Sequence, residues 1–252
     1  MPEMGAANGS ADGAGGRVVW VTGAGSGMGR AVAVYAAARG WRVAITGRRR
    51  EALEEAARQV ADAGGEALVI AGDVRAPDLV DQAVGSIEQR WGRLDALVLA
   101  AGLNTPHRTW RDQRFEEFRA VVDTNLVAVA QMIDVALPAL RREGGVVVVV
   151  SSYAAWRFSP GAGVAYSASK AALASLCQTL NAEEADHGVR ATHLCPGDVN
   201  TDFLLQRPNV PDADARNVML SAQDVAWAVQ FVLDAPSYVR IDELVISPVA
   251  QR

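Results

Sequence analysis

VVWVTGAGSGMGRAVAVYAAARG, residues 18–40, passes from a short apolar run through a cluster of glycines into an alanine-rich amphipathic stretch. That order reads as a buried strand, a sharp turn and a helix. Glycines at positions 23, 25, 27 and 29 let the backbone turn tightly and keep the helix N-terminus open. Unpaired N–H groups and the positive end of the helix dipole there attract an anion such as a pyrophosphate. The spacing departs from G-x-G-x-x-G, because Met28 stands where the third glycine or alanine would fall. It reads T-G-x-x-x-G-x-G from Thr22 through Gly23 and Gly27 to Gly29, which makes Gly23, Ser26, Gly27, Met28 and Gly29 the candidate phosphate-binding loop. Alone, such a loop can also be a purely structural turn, and the lack of a following Lys-Ser/Thr pair argues against a Walker-type site.

The alternation of strand and helix continues from Arg17 to the C-terminus. RVVWVTG, RVAITG, EALVIAG, RLDALVLAAG, GGVVVVVSS, VRATHLCPG and VRIDELVI are apolar enough to be strands buried on both faces. Between them Met28 to Arg39, Arg50 to Ala63, Pro77 to Trp91, Phe115 to Arg142, Ala165 to His187 and Ala222 to Leu233 have helical spacing. The expected fold is α/β: a single-domain, Rossmann-like, doubly wound parallel sheet of about seven strands with helices on both faces, over residues 17–252. Residues 1–16, rich in Gly and Ala, read as a flexible tail, and residues 200–220, with Pro208, Pro211 and several Asp, as a mobile substrate lid.

Composition narrows the function. A net charge of −5 argues against a nucleic-acid surface. The apolar runs break before the roughly 18 residues of a membrane helix, so no membrane partner is expected. Cys177 and Cys195 lack partners at metal-ligand spacing and read as buried thiols of a cytoplasmic protein, with no metal site expected.

The second strand ends in TGRRR, where an acidic residue would hold the ribose 2′-hydroxyl of NAD. Gly47, Arg48 and Arg49 remove that carboxylate and offer guanidinium groups to a 2′-phosphate, which favours NADP(H) over NAD(H). Further on, Tyr166 and Lys170 stand four residues apart at a helix start, on one face, so the ammonium is expected near the phenol and to lower its pKa. A phenol so tuned serves as general acid and base. Ser152, just past the fifth strand, can hydrogen-bond a substrate oxygen, with Ser151 as the fallback on the opposite face.

These motifs together closely resemble the short-chain dehydrogenase/reductase family, over nearly all of Arg17 to Arg252. The resemblance implies that Thr22-Gly23-x-x-x-Gly27-x-Gly29 holds the cofactor, Asp73 and Val74 contact its adenine, and Ala101 and Gly102 belong to the fourth-strand turn. It implies further that Asn125 carries a proton-relay water, Ser152, Tyr166 and Lys170 form the catalytic trio, and Pro196, Gly197, Val199 and Thr201 meet the nicotinamide. The implied activity is interconversion of a secondary alcohol and a ketone. Ala100 replaces the usual asparagine of the turn, and the Ser152–Tyr166 interval is one residue longer than usual, which a bulge at Gly161 or Gly163 can absorb. The ending V-x-I-x-E-L-x-I-x-P resembles the NADP-dependent 3-hydroxy acid dehydrogenase subgroup and suggests a small hydroxy acid. Trp156, Phe158 and lid residues Phe203, Leu204 and Leu205 fit a bulky apolar ketone as well. His107 reads as a surface or structural histidine. The apolar helices from Phe115 and Ala165 suggest a homodimer or homotetramer. A catalytically idle NADP(H) sensor would keep the glycines but lose Tyr166 or Lys170, and a methyltransferase would need neither.

Overall fold

The computed structural model describes residues 16–251. The flexible tail expected at residues 1–16 therefore lies, but for Gly16, outside the described residues. Strands β1 (Val18–Thr22), β2 (Arg42–Gly47), β3 (Glu66–Ala71), β4 (Ala96–Leu99), β5 (Val146–Val150), β6 (Arg190–Pro196) and β7 (Glu243–Ile246) form one sheet in the order 3-2-1-4-5-6-7. All pairings are parallel. Their apolarity follows from burial on both faces: β1, β4 and β5 have no exposed residue.

Right-handed crossovers put helices on the two faces. On one side α1 (Gly27–Ala37), α2 (Arg50–Asp62) and α9 (Ala222–Leu233) cover Val19, Val21, Ile45 and Val98. On the other α3 (Pro77–Trp91), α5 (Ala128–Glu143) and α7 (Val164–Glu183) cover Trp20, Leu97, Val147 and Val149. Successive strand residues alternate between these two cores. Because the strand order reverses between β1 and β4, the carboxyl ends of these strands open into a crevice rather than being closed by a connection.

The stretch read as one helix from Phe115 is α4 (Phe115–Val122), a π-turn (Asp123–Val127) and α5, continuous in direction. Spanning Phe115–Glu143, this helix is by length and composition apolar enough to cross a membrane, which the sequence reading had missed. Ala128, Met132, Ile133, Ala136 and Leu140 are instead packed in the core. The lid region is more ordered in outline than a bare loop. It holds a 3-10 turn (Asp202–Gln206) and α8 (Ala213–Asn217), and Val199 bridges Leu220 at its two ends.

The close approach of α1 to β1 depends on Gly29. A Cβ there would lie 2.5 Å from the Gly23 carbonyl oxygen and 2.9 Å from that of Thr22, both backbone atoms that cannot swing aside. Gly85, exposed in the middle of α3, has open space around it. Gly29→Ala is expected to lower the thermal midpoint, whereas Gly85→Ala is expected to stabilise by about 0.5–1 kcal/mol through helix propensity. Equilibrium unfolding of the two variants checks both signs.

Candidate active site

The crevice at the β1–β4 switch point is a cleft of about 940 Å³. Gly23, Ser26, Gly27, Met28 and Gly29 line one end, with Arg48, Arg49, Asp73, Val74, Ala101 and Gly102 beside them. Ser26 caps α1 without any side-chain hydrogen bond, and no acidic residue occupies the helix's first turn. The contrast is α9, whose N-terminus is closed by a capping box between Ser221 and Asp224. The first N–H groups of α1 are thus available to an anion, a fit for the pyrophosphate of a dinucleotide. Arg75 grips Asp73 through Nε and Nη2 at 3.0 and 2.6 Å, and this hydrogen bonding holds the Asp73 carboxyl below the usual carboxylate range. Thr22 Oγ1 accepts from the Ala101 N–H at 3.2 Å, fixing the β4 turn to β1.

At the other end the cleft is lined by Ser152, Tyr166, Lys170, Pro196, Gly197, Val199 and Thr201. Tyr166 sits in the first turn of α7, and Ser152 is the N-cap of a short helix, α6 (Tyr153–Trp156), where Oγ accepts from the Ala154 N–H at 3.2 Å. Ser152 lines the same wall as Tyr166, and its side chain is among the groups that lower the phenol's pKa. Ser151 is turned away: it is buried, and its Oγ donates to the Lys170 carbonyl at 3.2 Å. The longer Ser152–Tyr166 interval is taken up by a 3-10 turn (Pro160–Ala162) and by Gly163, at φ 95° and ψ 159°, a region only glycine occupies readily. Gly161 does not adopt a positive φ.

Lys170 meets one expectation and corrects another. Its ammonium lies over the Tyr166 ring, as the shared helix face implies, with Nζ 5.9 Å from the centroid, and donates to the Val150 carbonyl at 2.8 Å. Burial pushes the lysine down to about 8. Burial likewise pushes the Tyr166 phenol up, and the groups that pull it back are the Ser152 side chain and the charges of Arg108 and Arg207 rather than Lys170. Asn125 lies behind the cleft wall in the π-turn, fully buried; it accepts from the Leu103 N–H at 2.8 Å and donates to the Leu103 carbonyl at 2.9 Å and to Ser169 Oγ at 3.2 Å. A Cβ on Gly102 would lie 3.7 Å from Asn125 Oδ1 and 3.9 Å from Lys170 Nζ, so this glycine sits beside both side chains.

Sequence reasoning passed over Arg108, Asn104, Gln206 and Arg207, all of which line the catalytic end. They lie about a hundred residues apart in two loops with no periodicity, and the tertiary fold joins them. Asn104 N–H donates to Gln206 Oε1 at 2.9 Å, and Arg108 Nη2 donates to the Gln206 carbonyl at 2.9 Å, which ties the lid to the loop after β4. His107 pairs with Glu117 at 3.0 Å, away from the chemistry. Both cysteines are free and buried, and Cys195, unlike Cys177, has neighbours that spacing along the chain does not reveal. Strand register sets His193 opposite Glu243, and the donor atoms of His193, Cys195 and Glu243 all fall within 4.8 Å of one another. His193 Nδ1 is 3.0 Å from the Glu243 carboxylate and 3.4 Å from Cys195 Sγ.

The family model described as short chain dehydrogenase matches residues 17–209. Sulfoacetaldehyde reductase of Chromohalobacter salexigens is 34% identical over 240 residues, covering 92% of this chain and 94% of the relative. An alcohol dehydrogenase from Thermococcus sibiricus, solved with 5-hydroxy-NADP, superposes with a TM-score of 0.84 at 31% identity, covering 94% of this chain and 98% of that one. A short-chain dehydrogenase from Mycobacterium paratuberculosis, solved with NAD, gives 0.80 at 26% identity over 92% and 96% of the two chains. Fold, cleft and likeness agree: this chain belongs to the short-chain dehydrogenase family of nicotinamide-dependent oxidoreductases.

Proposed function

We propose that the protein interconverts a secondary alcohol and a ketone with NADP(H), using Tyr166 as the proton donor and acceptor. The observation that carries this reading is the convergence of Ser152, Tyr166 and Lys170 on one end of the cleft, with Asn125 buried beside Gly102 next to them. When bound, the nicotinamide supplies a hydride to the carbonyl carbon or accepts one from the carbinol. In the reducing direction Tyr166 gives its hydroxyl proton to the substrate oxygen, so that ketone, hydride and proton balance to alcohol. Ser152 orients that oxygen and shares its developing charge. Arg108 and Arg207 stabilise the phenolate left on Tyr166. Lys170 and Asn125 lie beside Gly102, and in this reading they relay the replacement proton from water to Tyr166.

Arg48 supports NADP(H) over NAD(H). It is exposed on the cleft rim at the end of β2, where no carboxylate repels a 2′-phosphate.

Replacing Tyr166 with Phe keeps the ring and removes the proton. Turnover is expected to fall by roughly 10²–10⁴-fold, with NADPH affinity within about threefold of the starting value. Steady-state kinetics and NADPH fluorescence titration read the two quantities separately. Near-normal turnover rejects the role of Tyr166, and tight NADPH binding with no turnover of any carbonyl by the unaltered protein supports a sensor instead.

Arg48→Gln is expected to raise the KM for NADPH by roughly tenfold or more and to leave the KM for NADH nearly unchanged. Equal effects on both cofactors would mean that Arg48 does not read the 2′-phosphate.

Lys170 gives a pH signature. A lysine with a folded pKa near 8 and an ordinary value of 10.5 loses its proton on folding between these limits. The unfolded chain binds more protons there, so the contribution of Lys170 to stability rises with pH across that window. The urea midpoint of the parent protein is expected to gain on that of Lys170→Met between pH 8 and 10. A flat difference would mean that the ammonium is solvated.

A further inference from the structure

Arg108 is the only buried arginine among the described residues, at 9% exposure. Its donors meet backbone carbonyls alone: Nε to Thr105 at 2.7 Å, Nη1 to Gly161 at 2.9 Å and Nη2 to Gln206 at 2.9 Å. No carboxylate of the described residues pairs with it, whereas the half-buried Arg93 meets Asp95 and Glu143. Three carbonyls satisfy hydrogen bonding, but they carry no net charge, so a buried positive charge remains uncompensated. A second cation, Arg207, stands close enough that the two guanidinium groups repel, and both act on Tyr166. Arg207 is tied to Asp198, a partner that is itself substantially exposed and exchangeable. These groups all face the cleft, where Phe203 approaches the Tyr166 ring at 6.1 Å between centroids and supplies an apolar wall.

We infer that the substrate carries its own anionic group, a carboxylate or a sulfonate a few bonds from the reacting carbonyl, and that Arg108 and Arg207 receive it beside Tyr166. The inference rests on the alcohol–ketone reading of Tyr166 and adds the class of substrate. The anion neutralises Arg108, displaces Asp198 from Arg207, and fixes the carbonyl relative to Ser152 and Tyr166, while Phe203 covers the carbon chain. A bulky neutral ketone would leave both cations facing apolar surface. Arg108 also ties the lid to the catalytic loop, so substrate charge and lid position meet at one side chain.

The test measures NADPH oxidation with three matched sets: short keto acids against their methyl esters, short aldehydes bearing a sulfonate against unsubstituted aldehydes of equal length, and bulky neutral ketones. The expected result is a kcat/KM for one of the anionic sets roughly 10- to 100-fold above its neutral counterpart, the size of one or two charge-assisted hydrogen bonds. The set that responds tells carboxylate from sulfonate. In Arg207→Gln and Arg108→Lys the ratio of anionic to neutral kcat/KM is expected to fall about tenfold or more. Because a general loss of phenolate stabilisation lowers both substrates alike, the ratio separates anion recognition from proton transfer. Binding of a short hydroxy carboxylate and a short hydroxy sulfonate to the protein with saturating NADP+, followed by calorimetry, gives a readout without turnover. Turnover of neutral carbonyls at or above the anionic ones, or no binding of either anion, overturns the substrate class and leaves the reductase intact. Failure to bind NADPH or to turn over any carbonyl overturns the reductase reading, and this inference with it.

Discussion

The architecture depends on how closely the start of α1 can approach the end of β1. Gly29 lies so near the carbonyls of Thr22 and Gly23 that even a methyl group would collide with them. Contact at that range brings the N-terminus of α1 to the edge of the sheet, beside the point where the strand order reverses. The crevice left there is long enough to place a phosphate site at one end and a proton-transfer group at the other. Ser26 does not cap the helix, so its N–H groups remain for a ligand. Stability and binding therefore compete for the same backbone atoms, and the chain leaves them open to binding.

Much of this was legible because burial leaves a period in the sequence. Strands such as VVVVV at 146–150 have no polar face to show, which identifies a parallel sheet covered on both sides. The boundaries of α3 and α9 follow from Pro77 at one start and Ser221 before the other. The π-turn at 123–127 leaves no such mark. It inserts one extra residue per turn into an otherwise regular apolar stripe, and the side chain it turns inward, Asn125, is then held by Leu103 from another loop.

The site was legible where spacing is local and illegible where it is not. Tyr166 and Lys170 share a helix face, but helix geometry says nothing about the carbonyl that competes for the ammonium. Val150 lies at the end of β5, and its oxygen accepts from the Lys170 ammonium. His193, Cys195 and Glu243 escape any spacing rule because strand pairing, not sequence, sets Glu243 beside the other two. Arg108 and Arg207 belong to separate irregular loops, and the Arg108–Gln206 and Asn104–Gln206 contacts bring them to one place.

These loop contacts bear on the acid–base chemistry itself. Desolvation raises the Tyr166 phenol, and a phenol so raised gives up its proton reluctantly unless positive charge stabilises its ionised form. One of the two arginines that supply this charge is on the loop after β4 and the other on the lid. The lid's contribution is thus electrostatic as well as steric: its position at Gln206 and Arg207 sets how strongly the phenol is held ready to lose its proton. Lys170, which lines the same end of the cleft, gives its ammonium to the Val150 carbonyl and is pushed down to about 8 by burial. The tyrosine is accordingly tuned from the substrate side of the cleft, where any charge brought in by the substrate acts on the same two arginines.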